Sequence, residues 1–443
     1  MIVFERDSEL DQLAWRLLNG REFQRLRRIK QLGFSELTFP GATHTRFSHC
    51  IGVFHNARRL IQILKKKARE SNFDKQKARN AIIAALLHDL GHGPFSHTFE
   101  GVQKALGQKI DHEAWTVRML SGQTGQTEIR GILESFDRSL PSEIAEIIGR
   151  ANPANMYDTI VSSQFDADRL DYLQRDRYMS GIGTGQFDFN WLLDCLEVGD
   201  VTVGIPGEDD LATVPTLYLS YKALQSAEGY LLARYHLYSQ VYLHKTTRAA
   251  ERMLAALLFR VGTVVRQDEL GRSGLASRSK LAQFFEKTPP TLETYLDLDD
   301  STLWAAITEM SDADDPQISI IAQRLRDRKL YKCCDVSALA TRSDSLLRFR
   351  KKLTEEFREV LNTEVLTDEV PLSAYGIHDY EEPGALQQVL IGRADGSKDD
   401  IAKVSSIIAS ITKPQKIFRV YADDNNKLNR IQALLRECSD GRM

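Results

Sequence analysis

The chain has 443 residues, of which 42% are hydrophobic and 27% are charged, so it is long enough for two or three ordinary globular domains. Its formal net charge of −3 argues against a protein that coats nucleic acid with positive charge, although local basic clusters leave nucleic acid open as a partner. Five scattered cysteines predict reduced thiols, and charge close to the N-terminus argues against a signal peptide, so we expect a cytoplasmic protein without a membrane segment.

The N-terminal part predicts two helices separated by a turn. Residues 8–32 have helical periodicity, and a second helix is predicted from about Thr45 to Ala68, with three lysines in its last turns. The first helix is expected to carry five basic residues on its polar side: Arg21, Arg25, Arg27, Arg28 and Lys30. This basic face is either solvated or directed at phosphate.

An apolar run, Ala81–Leu87, precedes His88 and Asp89. Seven residues are too few for a membrane span and suit a buried helix, which Gly91 and Gly93 would end before Pro94 begins the next one. An imidazole and a carboxylate are costly to bury without partners, so they form either a hydrogen-bonded core pair or a metal site. Seven of the ten histidines fall in this region and favour the metal: His44, His49, His55, His88, His92, His97 and His112.

Short helices are predicted near residues 95–106 and 112–120, and two more inside residues 126–150. The next predicted helix, Asp166–Tyr178, has three acids, a tyrosine and an arginine on one face: Asp168, Asp171, Tyr172, Arg175 and Asp176. That face is either an exposed ion-paired stripe or a wall that faces a ligand.

The second half of the chain begins with alternating residues at 200–220, which predict a β-hairpin, and continues with long helices over 221–266. The acidic stretch 297–300 is expected to be a boundary or a surface loop. From about residue 340, helical and strand-like segments mix. We therefore predict a mainly α fold, with a helical core over residues 1–335 and a smaller α+β lobe over residues 336–443.

Four residues spaced along the first half could meet at one divalent ion: His49, His88, Asp89 and Asp168. Two imidazoles and two carboxylates leave open positions in an octahedral shell for water and a phosphate oxygen. Such an ion activates water and polarises phosphorus, which suits phosphoester hydrolysis. The sequence has no nucleophile elbow, Walker loop or Gly-x-Gly-x-x-Gly fingerprint.

These residues form the H...HD...D signature of the HD-domain phosphohydrolases. The surrounding motifs resemble more closely the deoxynucleoside triphosphate triphosphohydrolase family, bacterial members and animal SAM-and-HD-domain enzymes alike. The resemblance covers at least residues 20–185 and extends to about residue 250, with the HD motifs within residues 46–176. The matching segments are Phe39–His49, Leu87–His97, His112–Glu113, Asp166–Asp176 and Val241–Lys245. The resemblance implies an HD-domain helical core that binds one divalent ion, with Mn, Mg or Fe favoured and Co or Zn as alternatives.

The resemblance also assigns roles residue by residue. It implies that four residues act around the α-phosphate, with His97 as the favoured proton donor: His92, His97, Glu100 and His112. It implies phosphate contacts for Arg46, Arg169 and Arg234, sugar contacts for Tyr172 and Tyr242, and recognition of the 3′ hydroxyl by Gln31 and Asp176. Tyr172 beside the 2′ carbon would leave no space for ribose. Each of four residues also has an alternative role. His92 could cap a helix, and His112 could be an ordinary helical residue. Tyr242 could serve in packing, and Arg234 could be a solvated charge.

The chain departs from the family pattern at three positions. Arg169 stands where lysine is frequent, Glu100 stands where aspartate is frequent, and Asn19 stands where regulated animal enzymes have an aspartate that reads guanine. Asn19 therefore leaves activation by GTP open, although an activator-nucleotide site like the family's would use Asn19, Gln24, Arg27 and Lys245. The family commonly assembles into tetramers or hexamers, so a homo-oligomer is expected.

Together these features predict a metal-dependent enzyme that converts a deoxynucleoside triphosphate and water into a deoxynucleoside and inorganic triphosphate. Two alternatives keep the same site. The substrate could be another nucleotide or a nucleic-acid end, or the chain could be a non-catalytic regulator that binds nucleotides.

Overall fold

The computed structural model describes residues 2–68, 73–122, 125–203, 212–340, 343–373, 375, 385–412 and 415–439. Over these residues the fold is mainly α with two small sheets, which confirms the predicted class. One large hydrophobic core runs through the helical part, and it includes the whole apolar run Ala81–Leu87. That run is buried on every side, so the helix that contains it can carry polar side chains into the interior at its end.

The first segment forms α1 (Glu9–Asn19), α2 (Arg21–Arg25) and a 3₁₀ turn (Leu26–Arg28), so the prediction of one helix over residues 8–32 is wrong. Gly20 is extended and interrupts the helix, and its Cα packs against Ile129, where a Cβ would come within 2.9 Å of the isoleucine side chain. Tertiary packing therefore overrides a continuous helical pattern.

Arg25 also corrects the sequence prediction, because its side chain is buried rather than on a polar face. Its Nε donates to the carbonyl of Leu298 at 2.9 Å, and its Nη1 donates to the carbonyl of His92 at 2.8 Å. The guanidinium thus connects the N-terminal segment to the loop that follows the apolar helix.

Eight further α-helices of the described residues lie between the N-terminal segment and residue 195. In chain order they are α3 (Arg46–Lys67), α4 (Lys75–Leu87), α5 (His97–Ala105), α6 (His112–Ser121), α7 (Glu128–Phe136), α8 (Leu140–Gly149), α9 (Ala167–Ser180) and α10 (Phe189–Asp194). Aspartate side chains cap four of them, at Asp74 before α4, Asp111 before α6, Asp166 before α9 and Asp188 before α10. The predicted start of α5 at Pro94 is wrong by three residues.

The predicted hairpin is present as β1 (Leu196–Val203) and antiparallel β2 (Ala212–Ser220), and its loop lies outside the described residues. The long helices that follow are α11 (Leu224–Leu237) and α12 (Lys245–Arg266), joined by a π-helical turn at Tyr238–Tyr242. Four shorter helices complete this part: α13 (Lys280–Phe285), α14 (Leu292–Leu296), α15 (Asp300–Met310) and α16 (Pro316–Arg326).

The acidic stretch before α15 is not a surface loop, because Asp299 and Asp300 are buried. Asp299 caps α15 and pairs with Arg28. Asp300 accepts the backbone N–H groups of Lys30 and Phe95, both at 2.8 Å. Asp299 and Asp300 thus accept backbone N–H groups in place of carbonyl oxygens, and these hydrogen bonds offset the cost of burying the carboxylates.

The C-terminal part combines helices and strands. Its elements are β3 (Lys332–Asp335), α17 (Ser343–Glu356), β4 (Val365–Leu372), β5 (Leu390–Gly392), β6 (Lys398–Asp400), α18 (Ile401–Val404), α19 (Ser406–Ile411), β7 (Gln415–Ala422) and α20 (Asn425–Ser439). The strands form one antiparallel sheet in the order β3-β7-β4 and extend the hairpin into a second sheet in the order β1-β2-β5-β6. Helix α18 begins at Ile401, directly after β6 ends at Asp400.

Two hydrophobic clusters divide the C-terminal part. Phe349, Val420 and Ile431 belong to a separate core around β7 and α20, whereas Ile391 and Ile408 join the large helical core. The division at residues 335 and 336 stays a prediction. Among the helices of the described residues, none combines the length and the apolar character that crossing a membrane requires.

We expect replacement of Arg25 by methionine to lower the free energy of unfolding by about 2–4 kcal/mol, because two buried carbonyl oxygens would lose a charged donor. Urea denaturation measures the change. Arg16→Met is the matched control, since Arg16 is exposed and donates to the exposed Ser135 hydroxyl, and a change below about 0.5 kcal/mol is expected there. Equal effects of the two substitutions would contradict the buried role of Arg25.

Candidate active site

Four predicted metal ligands meet where α3, α4 and α9 come together. His49 Nε2 lies 3.0 Å from Asp168 Oδ1 and 3.8 Å from Asp89 Oδ2. His88 Nε2 lies 3.2 Å from Asp89 Oδ1 and 3.8 Å from Asp168 Oδ1. These distances suit ligand atoms arranged around one shared ion, and His49, His88 and Asp89 each offer an atom within 4.8 Å of the others'.

Each ligand sits at a position that its element dictates. His49 lies one turn into α3, which begins at Arg46, and it is fully buried where α3 packs on α9. His88 caps the C-terminus of buried α4, and Asp89 follows it in the turn. Asp168 lies in the first turn of α9. A buried helix end therefore delivers two ligands, and two neighbouring helices supply one each.

Hydrogen bonds on the opposite nitrogens leave the facing lone pairs of both imidazoles free. His49 Nδ1 contacts Asp171 Oδ2 at 2.8 Å, and His88 Nδ1 contacts the backbone carbonyl of Ala85 at 2.8 Å. Both acceptors favour the tautomer with the proton on Nδ1, which is the usual arrangement for a histidine that binds metal through Nε2.

The nitrogens that face the centre are the Nε2 atoms of His49 and His88. Among the described residues, His49 Nε2 and His88 Nε2 are buried without a hydrogen bond of acceptable geometry. Burial lowers the pKa of His49, but the carboxylates of Asp168 and Asp171 outweigh burial and raise that pKa to about 10. The centre thus attracts one positive charge, which is either a proton or a metal cation in its place. The donor set fits a divalent ion.

Two other groups contain possible ligands, Asp89 with His92 and His112, and His97 with Glu100 and His112. Their histidine nitrogens are not among the buried atoms without a partner in the described residues. The His49 and His88 centre is therefore the one that a cation would complete.

A cavity of about 880 Å³ opens beside this centre. All of the residues predicted to bind metal, to act on the substrate or to bind it line the cavity, except His49, which lies behind it, and Glu100. The lining comprises Gln31, Arg46, His88, Asp89, His92, His97, His112, Asp168, Arg169, Tyr172, Asp176, Arg234 and Tyr242. The volume lies in the range of small-molecule sites. The same cleft therefore contains three of the four predicted metal ligands and most of the residues predicted to act on the substrate or to bind it.

Of the guanidinium groups that line the cavity, the three predicted to contact phosphate each have a fixed partner. Arg46 pairs with Asp89, and its Nε donates to Ser96 Oγ at 3.0 Å. Arg169 pairs with Asp166, the residue that caps α9. Arg234 donates from Nη1 to Gln164 Oε1 at 2.6 Å, while its Nε has no partner among the described residues. Such oriented cations favour an anionic ligand with several charged groups.

A histidine and glutamate cluster forms the side of the cavity beyond Asp89. His92 stacks on His112 with ring centroids 3.8 Å apart, and His92 Nε2 lies 3.2 Å from Asp89 Oδ1. Glu100 Oε2 lies 3.2 Å from His112 Nδ1 and 3.7 Å from His97 Nδ1. His97 is the accessible member, because 73% of its side chain is exposed.

Burial and charge separate the protonation states of this cluster. Burial, followed by the charge of Arg46, holds the pKa of His92 well below 6.5, so its imidazole is neutral. Burial lowers the pKa of His112, but the carboxylates of Glu100 and Glu113 raise it above 6.5 overall. Burial raises the pKa of Glu100, but hydrogen bonds from His112, His97 and Lys104 hold it well below 4.5. Glu100 therefore stays charged.

A strained turn carries the cluster to the cavity. Phe95 and Ser96 both have φ of +50°, a region that side chains other than glycine rarely adopt. Asp300 holds the Phe95 N–H, and the Phe95 ring stacks on Phe34 with centroids 4.4 Å apart. This turn places His97 at the first position of α5, beside the cavity.

Gly91 allows the turn after the metal ligands to lie against α6. A Cβ at this position would be 2.0 Å from the carbonyl oxygen of His112 and 2.5 Å from the backbone N of Thr116. The Gly91 N–H donates to Thr116 Oγ1, and its carbonyl accepts from the Tyr295 hydroxyl at 2.6 Å. Glycine is needed here for close packing rather than for ending α4.

Asp176 organises the far side of the cavity. Its two carboxylate oxygens contact His44 Nε2 at 2.7 Å and the Tyr242 hydroxyl at 2.6 Å. Tyr172 lies next to Tyr242, with ring centroids 6.3 Å apart. Gln31 lines the same wall and has a buried Oε1 without a partner among the described residues. The wall therefore offers aromatic surface and polar groups together.

The residues predicted to bind an activator nucleotide lie elsewhere. Asn19 donates to the Trp15 carbonyl, and Gln24 accepts from Arg27 Nε at 2.8 Å. The Arg27 guanidinium lies 3.5 Å above the Phe47 ring. Lys245 is exposed at the start of α12, and none of the four lines the cavity. Their nucleotide role stays a prediction.

Sequence reasoning missed several residues that support the site. Asp171 holds His49, His44 holds Asp176, Gln164 holds Arg234, and Tyr238 lines the cavity. A signal existed for Asp171, which lies one turn after Asp168 on the same helical face, and for His44, which belongs to the histidine-rich region. Gln164 and Tyr238 have no distinctive sequence pattern.

Comparison with known proteins identifies two family models on the chain. The HD domain model matches residues 46–175, and the HD associated region model matches residues 211–270. The chain is 32% identical to uncharacterized protein YwfO of Bacillus subtilis over 91% of this chain and 86% of that protein. It is 27% identical to the deoxynucleoside triphosphate triphosphohydrolase SAMHD1 homolog of Dictyostelium discoideum over 98% of this chain and 79% of that protein. The matches to three other curated relatives span only 46–61% of their length.

The structure resembles that of a phosphohydrolase, BT4208, from Bacteroides thetaiotaomicron. The TM-score is 0.70 at 27% sequence identity, and the alignment covers 92% of this chain and 94% of that one. The similarity thus includes the C-terminal part as well as the helical core.

We expect Mn²⁺ to raise the melting temperature of the purified protein in proportion to the logarithm of its concentration. An ion that binds only the folded state stabilises it by about 2.7 kcal/mol at one hundred times its dissociation constant. Differential scanning fluorimetry measures the shift, and a chelator should reverse it. His88→Gln should lose the shift, while His55→Gln, on the same α3 as His49 but outside the cavity, should keep it. Retention of the shift in His88→Gln would contradict the assigned centre.

Proposed function

The chain belongs to the HD-domain phosphohydrolases, the family that also includes the SAMHD1 deoxynucleoside triphosphate triphosphohydrolases, and we propose from this premise that it hydrolyses deoxynucleoside triphosphates to deoxynucleosides and inorganic triphosphate. One observation carries the proposal: a cation centre built from His49, His88, Asp89 and Asp168 shares a cavity of about 880 Å³ with three fixed guanidinium groups. Binding of a triphosphate chain uses both the cation centre and the guanidinium groups.

The triphosphate binds along the guanidinium groups. Arg46 lies next to Asp89, so it contacts the phosphate at the cation centre. Arg169 and Arg234 hold the phosphates farther along, because both line the cavity and both retain a buried Nε without a partner among the described residues. Planar guanidinium groups with one edge already fixed lose little freedom when they bind phosphate.

The deoxyribose binds at the wall formed by Tyr172, Tyr242, Asp176 and Gln31. The Asp176 carboxylate and the Gln31 amide recognise the 3′ hydroxyl, while the Tyr172 ring packs against the 2′ carbon. Burial raises the pKa of Tyr172 well above 10, so the side chain is a neutral phenol with an apolar face. A 2′ hydroxyl would meet this face without a partner, which selects against ribonucleotides.

The reaction breaks the bond between the α-phosphorus and the 5′ oxygen. A water oxygen forms the new bond to the α-phosphorus, the 5′ oxygen leaves with the electron pair of the broken bond, and it takes up a proton to become the nucleoside hydroxyl. A divalent ion at the centre, when bound, supplies charge that polarises the phosphate and favours ionisation of water. Mn, Mg and Fe are the favoured ions for this donor set, with Co or Zn as alternatives.

The histidine cluster divides the remaining work. His97 donates the proton to the 5′ oxygen, because it is the exposed member at the cavity. Burial lowers the pKa of His112, but the carboxylates of Glu100 and Glu113 raise it overall, so His112 is the member assigned to stabilise negative charge that develops on phosphate oxygens. His92, neutral beside Asp89, holds the carboxylate in place. Glu100 links His97 to His112 and keeps both rings oriented. An activator nucleotide, a homo-oligomer and a cytoplasmic location remain part of the proposal.

We expect incubation with dNTPs and Mn²⁺ or Mg²⁺ to release inorganic triphosphate and deoxynucleoside in equal amounts. Anion-exchange chromatography and mass spectrometry measure the products. In water enriched in ¹⁸O, the label should appear in the triphosphate and not in the nucleoside, because water attacks phosphorus. Asp168→Ala, purified in parallel, controls for contaminating phosphatase.

Two outcomes would redirect the proposal. Monophosphate and pyrophosphate as the products would place the broken bond between the α- and β-phosphates. Hydrolysis of a cyclic nucleotide, a monophosphate or a nucleic-acid end without hydrolysis of dNTPs would keep the site and replace the substrate.

We also expect kcat to fall as the pH rises through the pKa of His112, because the protonated imidazole is the form that stabilises phosphate charge. The Glu100 carboxylate is the principal group that raises this pKa above 6.5. Glu100→Gln should therefore move the alkaline limb of the kcat profile to lower pH, and lower kcat at pH 7.5 by about tenfold or more.

Glu113→Gln is the matched control for this profile. Glu113 also lies 3.2 Å from His112 Nδ1, but 47% of its side chain is exposed, so a smaller displacement is expected. Identical alkaline limbs in wild type and Glu100→Gln would contradict the role given to the Glu100 and His112 pair.

A further inference from the structure

His49 is held from behind by a pair of residues on α9. The Asp171 carboxylate contacts His49 Nδ1 through Oδ2 at 2.8 Å. Arg175, one turn later, donates to the same carboxylate with two groups, Nε to Oδ2 at 2.7 Å and Nη2 to Oδ1 at 2.9 Å. The guanidinium fork therefore fixes the plane of the carboxylate, and the carboxylate fixes the imidazole.

The local packing of α3 is adapted to this pair. Gly52 lies one turn after His49, and a Cβ there would be 1.7 Å from Asp171 Oδ1 and 2.4 Å from Arg175 Nη2. Any side chain at this position would displace the carboxylate or the guanidinium. The glycine thus makes room for the contact between two charged side chains of α9 and the helix that carries His49.

The pair does not touch the substrate cavity. Neither Asp171 nor Arg175 lines the 880 Å³ cavity, and both line a separate cavity of about 950 Å³ together with His55 and Arg59. Arg175 is partly solvated, with 25% of its side chain exposed, whereas Asp171 and His49 are buried. Substitutions of the pair can therefore act on the centre without removing a contact to the substrate.

We propose that Asp171 and Arg175 form a positioning pair that sets the tautomer and orientation of His49 and thereby sets the affinity of the centre for its divalent ion. This inference rests on the proposed function only in that the centre binds a divalent ion. The pair makes no contact with the reacting atoms.

Without Asp171 and Arg175, the His49 imidazole would be held less firmly than the His88 imidazole. The Nδ1 of His88 contacts a carbonyl of its own helix, Ala85, whose position the backbone fixes. The Nδ1 of His49 depends instead on a side chain of another helix, which can rotate. Arg175 removes that freedom, so Nε2 of His49 points at Asp168 before an ion binds.

The test is the dissociation constant for Mn²⁺ of the full-length protein, measured by competition with a fluorescent chelator. Outer partners of metal-binding histidines contribute about 10–100-fold to metal affinity. Asp171→Asn and Arg175→Lys should each weaken Mn²⁺ binding by about 10-fold or more. Asparagine cannot accept both donors of Arg175 while it holds His49, and lysine cannot form the fork.

Gly52→Ala should weaken Mn²⁺ binding as well, because its methyl group displaces the pair. Gly131→Ala on α7 is the matched control, since a Cβ there meets nothing within 4 Å, and its affinity should remain within about twofold of wild type. At saturating Mn²⁺, Arg175→Lys should recover most of the wild-type kcat, because the substrate contacts are intact.

Unchanged Mn²⁺ affinity in folded Asp171→Asn and Arg175→Lys proteins would overturn the proposal. So would a loss of thermal stability in the metal-free variants without a change in the Mn²⁺ dissociation constant, because that result indicates packing alone. A wild-type protein that binds Mn²⁺ and does not hydrolyse dNTPs would remove the proposed function and leave the positioning pair in force.

Discussion

The structure depends on the convergence of two imidazoles and two carboxylates on a point that no described protein group fills, with His49 and Asp89 buried and His88 and Asp168 partly buried. His49 Nε2 and His88 Nε2 both face this point, and the oxygens of Asp89 and Asp168 complete the ring. Buried polar groups without partners are costly, so a fold keeps such an arrangement only where something else completes it. Much of the helical core serves this purpose, because α3, α4 and α9 pack so that their polar ends converge.

Charge is arranged in layers away from that point. The carboxylates of Asp89 and Asp168 lie at the centre, and Asp171 lies behind it with Arg175. The guanidinium groups of Arg46, Arg169 and Arg234 line the cavity in front. Each of these arginines is held by a carboxylate, a hydroxyl or an amide, so its orientation is set before a ligand arrives. Preorganised charge of this kind is the main resource of phosphoryl-transfer sites, where the protein contributes chiefly by electrostatics and position.

Much of this could be predicted from the sequence, for physical reasons that differ between elements. The run Ala81–Leu87 has to be buried whatever surrounds it, and the residues after it therefore enter the interior. Nearly all of the metal, catalytic and substrate residues that the resemblance to a known family implies line the cavity. Gly20, Arg25 and Asp300 could not be placed in this way, because their environments come from segments at least 67 residues away in the chain. Local periodicity carries no information about such partners, and for the same reason it did not reveal how Asp171 holds His49.

Anomalous diffraction from crystals of the protein grown with Mn²⁺ would locate a bound ion. We expect one strong peak bounded by His49 Nε2, His88 Nε2 and oxygens of Asp89 and Asp168. A peak at His97, Glu100 and His112 instead, with His49 and His88 left without an ion, would contradict this expectation.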